Sequence, residues 1–306
     1  TMDTDCPLLP HKALVQGKRS INSTLEAPGM FQVEGCMFHW FEPEEACDLV
    51  ASVGGLYFDG DSLIRQLMVG IGAILDGNLR TGGLARTTPK DHLIACQCEN
   101  QWQCWKDPAN HRFAPEEPQF ALCPKWTRNH IITVPFDEYI NNAAELGLPT
   151  VVIGNGMALH KSLKFSSVRS QMEARLHAAR TTGGLYIPMT VHWPGPNKPK
   201  AFKRSQGKEK VEAYNEDLRH WADQNQIWAL DTYEFTKGLW SRDGVHYDDN
   251  NIVIAQILLN YLWRYQQEGI LKVVPEQNDK DPSTFHIGEP KDVNVNAYTG
   301  PIPKPY

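Results

Sequence analysis

The chain has 306 residues, 41% of them hydrophobic, and a formal net charge of -6. This length can bury one substantial core with a smaller appended region. The negative charge gives no overall attraction to nucleic acid or to an anionic membrane. We therefore expect neither partner and favour a neutral or cationic substrate. The most apolar stretch, residues 252–263, contains Gln256 and Asn260 and is too short to span a bilayer.

The cysteines are confined to the first half of the chain and predict an amino-terminal region clamped by disulfides, with one thiol left unpaired. They are Cys6, Cys36, Cys47, Cys96, Cys98, Cys104 and Cys123. The alternative is a zinc site formed by the last four, although Cys-x-Cys spacing differs from the usual Cys-x-x-Cys knuckle. The glycosylation sequon at Asn22 agrees with secretion. We expect a protein of the extracellular space or secretory-pathway lumen whose signal peptide has been removed.

The order of elements predicts a single catalytic domain. Residues 1–50 show no sustained period, which indicates an irregular amino-terminal arm packed on the core. Strands are predicted at 56–58, 93–98, 130–134, 150–153, 185–191 and 227–230, and helices from residue 62 and at 137–146, 167–180, 209–224 and 250–267. This alternation predicts a parallel sheet with helices on both faces, within residues 51–274. Residues 275–306 are rich in Pro, Asn and Asp and predict an extended tail.

The first segment with chemical content is Phe58-Asp59-Gly60-Asp61-Ser62-Leu63, where a predicted strand ends and a helix begins. A serine in the first turn of a helix lies near free backbone N–H groups and the positive end of the helix dipole, which stabilise negative charge. Gly60 permits a sharp turn, and Asp61 can hydrogen-bond to nearby amides. The alternative is an ordinary turn followed by a serine helix cap.

The second segment is Asp243-Gly244-Val245-His246, between the last predicted strand and the last helix. Sites in parallel sheets gather at the carboxyl ends of strands, so this segment and Ser62 are predicted to share one edge. A histidine can act as general base for a serine when a carboxylate orients its ring, and Asp243 can do so. Each residue alone is typical of a loop; together they predict a Ser-His-Asp triad.

These two segments resemble the catalytic blocks of the SGNH, or GDSL-type, hydrolases. Phe58 to Arg65 is similar to the PC-esterase and trichome-birefringence-like branch, which modifies O-acetyl groups on polysaccharides. The resemblance implies a three-layer α/β/α sandwich and an esterase that needs no metal or organic cofactor. It also implies oxyanion donors: the amide of Ser62, the side chain of Asn155, and the amide of Gly82 or Gly83. The alternative for Gly82 and Gly83 is an ordinary flexible turn. Gly156 stands where the family often has Asp after that Asn.

Several further residues are candidates for substrate binding. Arg65 falls one helical turn beyond Ser62, where the related branch also has Arg, although a surface salt bridge is the alternative. His160 and His192 each follow a predicted strand closely, and Trp193 can stack on a sugar. The alternatives are that the two histidines are ordinary loop residues and that Trp193 packs in the core.

Three functions stay open from the sequence. We expect a monomeric acetylesterase acting on an acylated carbohydrate. A polysaccharide O-acetyltransferase would use the same triad, and a non-catalytic carbohydrate-binding wall protein would keep the fold without the chemistry.

Overall fold

The computed structural model describes residues 18–19, 31–32, 38–53, 55–75, 77, 97–98, 101–102, 136–241, 243–247 and 250–271. All of these lie in the first of two units into which the chain divides, Thr1–Val274 and Pro275–Tyr306. The predicted strand at 130–134, the pair Gly82 and Gly83 and the predicted tail lie outside the described residues, as do the side chains of all cysteines except Cys47. Cys47 is disulfide-bonded.

The described part of the chain contains both helices and short strands. The helices are α1 (Pro43–Ala51), α2 (Ser62–Leu75), α3 (Phe136–Leu146), α4 (Arg169–Thr181), α5 (Lys200–Lys203), α6 (Lys208–Gln224), α7 (Thr232–Thr236) and α8 (Asn251–Gln267). The strands are β1 (Lys18–Arg19), β2 (Phe31–Gln32), β3 (Leu56–Asp59), β4 (Gln97–Cys98), β5 (Gln101–Trp102), β6 (Val151–Gly154) and β7 (Leu185–Pro188). The predicted α/β class is confirmed.

A parallel sheet lies at the centre, with strand order β3-β6-β7. Leu56 pairs with Val151, which pairs in turn with Leu185. Every residue of β6 and β7 is buried, as expected for strands covered on both faces. Because the strands are parallel and in register, their carboxyl ends meet at one edge, and the residues that follow β3 and β6 emerge side by side.

The strand predicted at 227–230 is reduced to one bridge, between Leu230 and Met189. The reason lies at both of its ends. The amide N–H of Ile227 donates to the carbonyl of Ala222 at 3.0 Å and so closes α6. Asp231 already caps α7, because its side chain accepts the amide N–H of Tyr233. Too few residues remain between these two helix ends to form a longer strand.

The helices fall into two groups by their packing. Helices α1, α2 and α8 pack on one another, and α4 packs on β6 and β7. Every residue of α2 except Arg65 is buried, so this helix forms part of the core. None of the described helices is both long and apolar enough to cross a membrane.

The chain just before α1 is held against α8 by two side-chain amides. The Gln256 carboxamide accepts the amide N–H of Phe41 and donates to its carbonyl, both at 2.9 Å. Asn260 pairs with His39 in the same way, at 3.1 and 2.8 Å. These contacts explain why two polar residues lie within the most apolar stretch of the sequence: they satisfy buried backbone groups of another segment.

Candidate active site

Ser62 is the first residue of α2 and lies at the carboxyl edge of the sheet, where it is 5% exposed. The turn that leads to it is tight. A Cβ atom on Gly60 would lie 2.4 Å from Oδ1 of Asn155, so only glycine fits at this position. The Asp61 carboxylate accepts the amide N–H of Leu63 at 3.1 Å and thereby satisfies a donor of the first helical turn.

The structure brings Ser62, His246 and Asp243 together in hydrogen-bonding order. Nε2 of His246 lies 2.8 Å from Oγ of Ser62, and Nδ1 lies 2.6 Å from Oδ2 of Asp243. A carboxylate only accepts hydrogen bonds, so neutral His246 carries its proton on Nδ1 and its Nε2 accepts the Ser62 hydroxyl. Burial opposes ionisation of Asp243, but the hydrogen bond and charge of His246 outweigh it and hold the pKa of Asp243 well below its usual value.

The loop that carries Asp243 and His246 is fixed by its own hydrogen bonds. Oδ1 of Asp243 accepts the amide N–H groups of Val245 and His246, each at 2.9 Å. Gly244 has φ of 73°, a conformation that glycine adopts at no steric cost. The Ser241 hydroxyl donates to the carbonyl of His246 at 2.7 Å. Both oxygens of the Asp243 carboxylate therefore have defined partners, and the carboxylate cannot rotate without breaking them.

Asn155 follows β6 and lies beside the turn that leads to Ser62. Its Oδ1 accepts the amide N–H groups of Met157 at 3.1 Å and Asp61 at 3.4 Å, while its Nδ2 donates to the Asp61 carboxylate at 2.8 Å. The Tyr214 hydroxyl donates to the Asn155 carbonyl. The orientation of the carboxamide is thus set by three contacts. Within the described residues, the second N–H of Nδ2 and the amide N–H of Ser62 make no hydrogen bond.

The remaining candidates occupy different surroundings. Arg65 lies on α2, one turn after Ser62, and is partly buried. His160 is exposed on the turn after β6. Trp193 is partly buried and tied to the loop of the triad, because its carbonyl accepts the hydroxyl of Tyr247. Gly82 and Gly83, the candidate oxyanion glycines, lie outside the described residues.

His192 lies beneath the loop of the triad and is 3% exposed. Its Nδ1 donates to the carbonyl of Val245 at 3.2 Å. Nε2 is buried and has no hydrogen-bond partner within the described part of the chain. Burial lowers the pKa of His192 to about 3, with a further contribution from His246. The ring is therefore neutral at physiological pH and supports the backbone between Asp243 and His246.

The neutral state of His192 predicts a pH-dependent stability. In the unfolded chain this histidine takes up a proton below about pH 6.5, whereas the folded protein resists protonation until about pH 3. The free energy of unfolding should therefore fall by about 1.4 kcal/mol per pH unit as pH drops below 6.5. His192→Asn, which cannot titrate, should flatten this slope in urea unfolding, and exposed His177→Asn should not. Equal slopes in all three proteins would contradict the assignment.

Two residues of the site, Lys198 and Ser241, are not predicted from the sequence. Lys198 is 6% exposed, and burial lowers its pKa to about 8 while the nearby Asp243 carboxylate opposes the shift. Ser241 holds the backbone of the triad loop. The sequence signal around Lys198 was limited to Pro196 and Pro199, which predict a loop but not which side chains turn inward.

Among the described residues, no group of three or more His, Cys, Asp or Glu side chains is placed to hold a metal ion. The side chains of the cysteines of the alternative zinc site lie outside that set. The chain matches no protein-family model, no curated protein and no solved structure.

Proposed function

We propose that this chain is a serine ester hydrolase with Ser62 as its nucleophile. The observation that carries the proposal is the pair of hydrogen bonds that joins Ser62 to His246 at 2.8 Å and His246 to Asp243 at 2.6 Å. Serine hydroxyls are weak nucleophiles at neutral pH and react when an adjacent base accepts their proton. His246 is in position to do so, and Asp243 stabilises the imidazolium that results.

The reaction proceeds by acyl transfer in two steps. Ser62 Oγ attacks the ester carbonyl carbon while its proton passes to Nε2 of His246. The tetrahedral intermediate then collapses: the carbon–oxygen bond to the alcohol breaks, and His246 returns the proton to the departing alcohol. Water attacks the acyl-enzyme, again giving a proton to His246, and the collapse of the second intermediate releases the acid and regenerates Ser62.

The negative charge of each intermediate falls on one oxygen, which needs preorganised donors. The N–H of Ser62 is at the amino end of α2, where the helix dipole also favours an anion. The N–H of Asn155 Nδ2 that is not bound to Asp61 is a second donor. The role of Asn155 is supported by its buried, fixed carboxamide. A glycine amide at Gly82 or Gly83 is proposed as the third.

The proposal also includes the substrate class and the arrangement of the helices on the faces of the sheet. We infer that the two helix groups cover opposite faces of the sheet, which gives a three-layer α/β/α sandwich. The similarity of Phe58 to Arg65 to the PC-esterase branch supports O-acetyl groups on a carbohydrate as the substrate. The same similarity and the disulfide at Cys47 support secretion.

Active-site labelling tests the proposal directly. A fluorophosphonate reacts with serines whose proton is removed by a neighbouring base, so the folded protein should take up one label on Ser62. Ser62→Ala should take up none, whereas Ser170→Ala, which alters an exposed serine on α4, should label as fully as the unmodified protein. Absence of label from the folded protein, or label on another residue, would contradict the proposal.

A further inference from the structure

Residues 198–210, here called the lysine segment, carry a concentrated positive charge. The segment includes α5 and the first turn of α6. Its six basic residues are Lys198, Lys200, Lys203, Arg204, Lys208 and Lys210, and Glu209 is its one acidic residue. This composition is opposite in sign to that of the whole chain, whose formal net charge is -6.

Among the residues that the structure describes, few acidic side chains pair with the cations of the lysine segment. Lys200, Lys203, Arg204 and Lys210 are exposed, and none makes an ion pair with any residue that the structure describes. In contrast, Lys208 lies 3.9 Å from Glu212. Lys200 is followed by basic residues three and four positions later, and like charges at these helical spacings repel. A bound anionic group would relieve this repulsion.

The lysine segment begins at the loop of the triad. Just before it, the amide N–H of Gly195 donates to the carbonyl of Gly244 at 3.0 Å. The side chain of Asn197 donates to the carbonyl of Ser241 at 2.9 Å. Lys198 is close enough to Asp243 for the two charges to interact. The Cα atom of Lys200, two residues on, lies within about 8 Å of that of Lys198. The exposed cations of the lysine segment therefore begin next to the loop of the triad.

Aromatic side chains accompany these cations. The ring of Trp193 lies 5.2 Å from Nζ of Lys208 and 5.6 Å from Nζ of Lys237. Trp240, immediately before Ser241, is 39% exposed. Indole faces beside ammonium groups suit a ligand that has both apolar ring faces and negative charges, as an acidic sugar has. One exposed apolar residue on a four-residue helix, Phe202, is far less than a membrane-binding amphipathic helix presents.

We infer that the lysine segment binds the carboxylates of an acidic polysaccharide and guides its acylated sugars to Ser62. This inference rests on the proposed esterase function and adds the substrate class. It gives the segment two roles: to raise the local concentration of an anionic chain, and to hold the chain across the mouth of the site. The first role is screened by salt, because the cations are exposed.

Binding tests the inference separately from catalysis. Ser62→Ala protein is titrated with an O-acetylated polyuronate and with the same polymer after chemical reduction of its carboxyl groups. The acidic polymer should bind about tenfold more tightly at low ionic strength, and added salt should remove the difference. Adding Lys200→Glu and Lys203→Glu should abolish the preference.

A charge control carries Arg180→Glu and Arg264→Glu, which change the net charge equally. Within the described residues, unlike the two lysines, Arg180 donates to the carbonyl of Asn225 and Arg264 lies 3.4 Å from Glu268, so this control also removes two local contacts. Arg180 lies in the last turn of α4, at the opposite edge of the sheet, and Arg264 lies in the last turn of α8, about 20 Å along the helix from its start. This control should keep the preference for the acidic polymer. Thermal unfolding verifies that both double variants are folded.

The outcomes separate the two proposals. If the unmodified protein hydrolyses an uncharged aryl acetate but binds both polymers equally, the inference about the lysine segment is wrong and the esterase proposal stands. If it hydrolyses no ester, the esterase proposal fails, whatever the polymers show. Equal loss in the two double variants would also overturn the inference. So would equally tight binding to phosphatidylserine-containing vesicles or to single-stranded DNA, because that would be a general attraction to polyanions.

Discussion

Replacing Ser62 with Ala is expected to lower kcat/KM for an aryl acetate by roughly 10⁴-fold to 10⁶-fold. The substitution removes the atom that forms the acyl-enzyme, and among the described residues Ser62 is the only hydroxyl that hydrogen-bonds to the His246 ring. The oxyanion donors stay in place, so a small residual acceleration over water should remain. Release of the phenolate, followed by its absorbance under single-turnover and steady-state conditions, measures the loss.

Stability provides the control for this first prediction. Ser62→Ala removes one side-chain hydrogen bond, to His246, so the thermal midpoint should change by only a few degrees. Ser170→Ala, an exposed site on another helix, should retain full activity. An active Ser62→Ala enzyme would rule out the acyl-enzyme route.

Asp243→Asn is expected to lower kcat by about 10⁴-fold through the tautomer of His246. The carboxamide oxygen of Asn would keep the two amide N–H groups of Val245 and His246, since only an acceptor suits them. Its NH₂ group would then face Nδ1 of His246. Nδ1 must accept that hydrogen bond, which moves the histidine proton to Nε2. There it points at Ser62, and His246 can no longer act as the base.

Fluorophosphonate labelling checks that Asp243→Asn lowers kcat by making Ser62 less reactive. Asp243→Asn should fold normally and should lose fluorophosphonate labelling in parallel with kcat. Asp217→Asn, on the exposed face of α6, makes the same chemical change away from the site and should be neutral. An Asp243→Asn enzyme with near-normal turnover would mean that the 2.6 Å contact with His246 does not set the proton position.

The proximity of Ser62 and His246 could be predicted from the sequence because each residue lies in a short local pattern that indicates its place in the fold. A short apolar strand, a glycine turn and a serine at the start of a helix specify the edge of a parallel sheet. Asp243 and His246 are three residues apart, so one loop can carry both. The roles assigned to these residues remain predictions until the two substitutions are made.

Other parts of the site follow from packing, which spacing rules do not describe. Lys198 is buried where residues 195–198 lie against Gly244, and His192 is buried where it donates to the carbonyl of Val245; both are long-range contacts. The predicted strand at 227–230 is reduced to one bridge because α6 closes at Ile227 and Asp231 already caps α7. The expectation of a neutral or cationic substrate came from net charge, which averages over the surface; the lysine segment leads to the opposite inference.

The side-chain amides of Gln256 and Asn260 on α8 affect which substitutions this protein tolerates. The hydrogen bonds that Gln256 and Asn260 make to this segment go to main-chain atoms of Phe41 and His39. A different side chain at position 39 or 41 would leave those bonds intact, whereas positions 256 and 260 require a group that donates and accepts at once. Two ordinary-looking helical residues are therefore expected to vary less among related chains than the segment they hold.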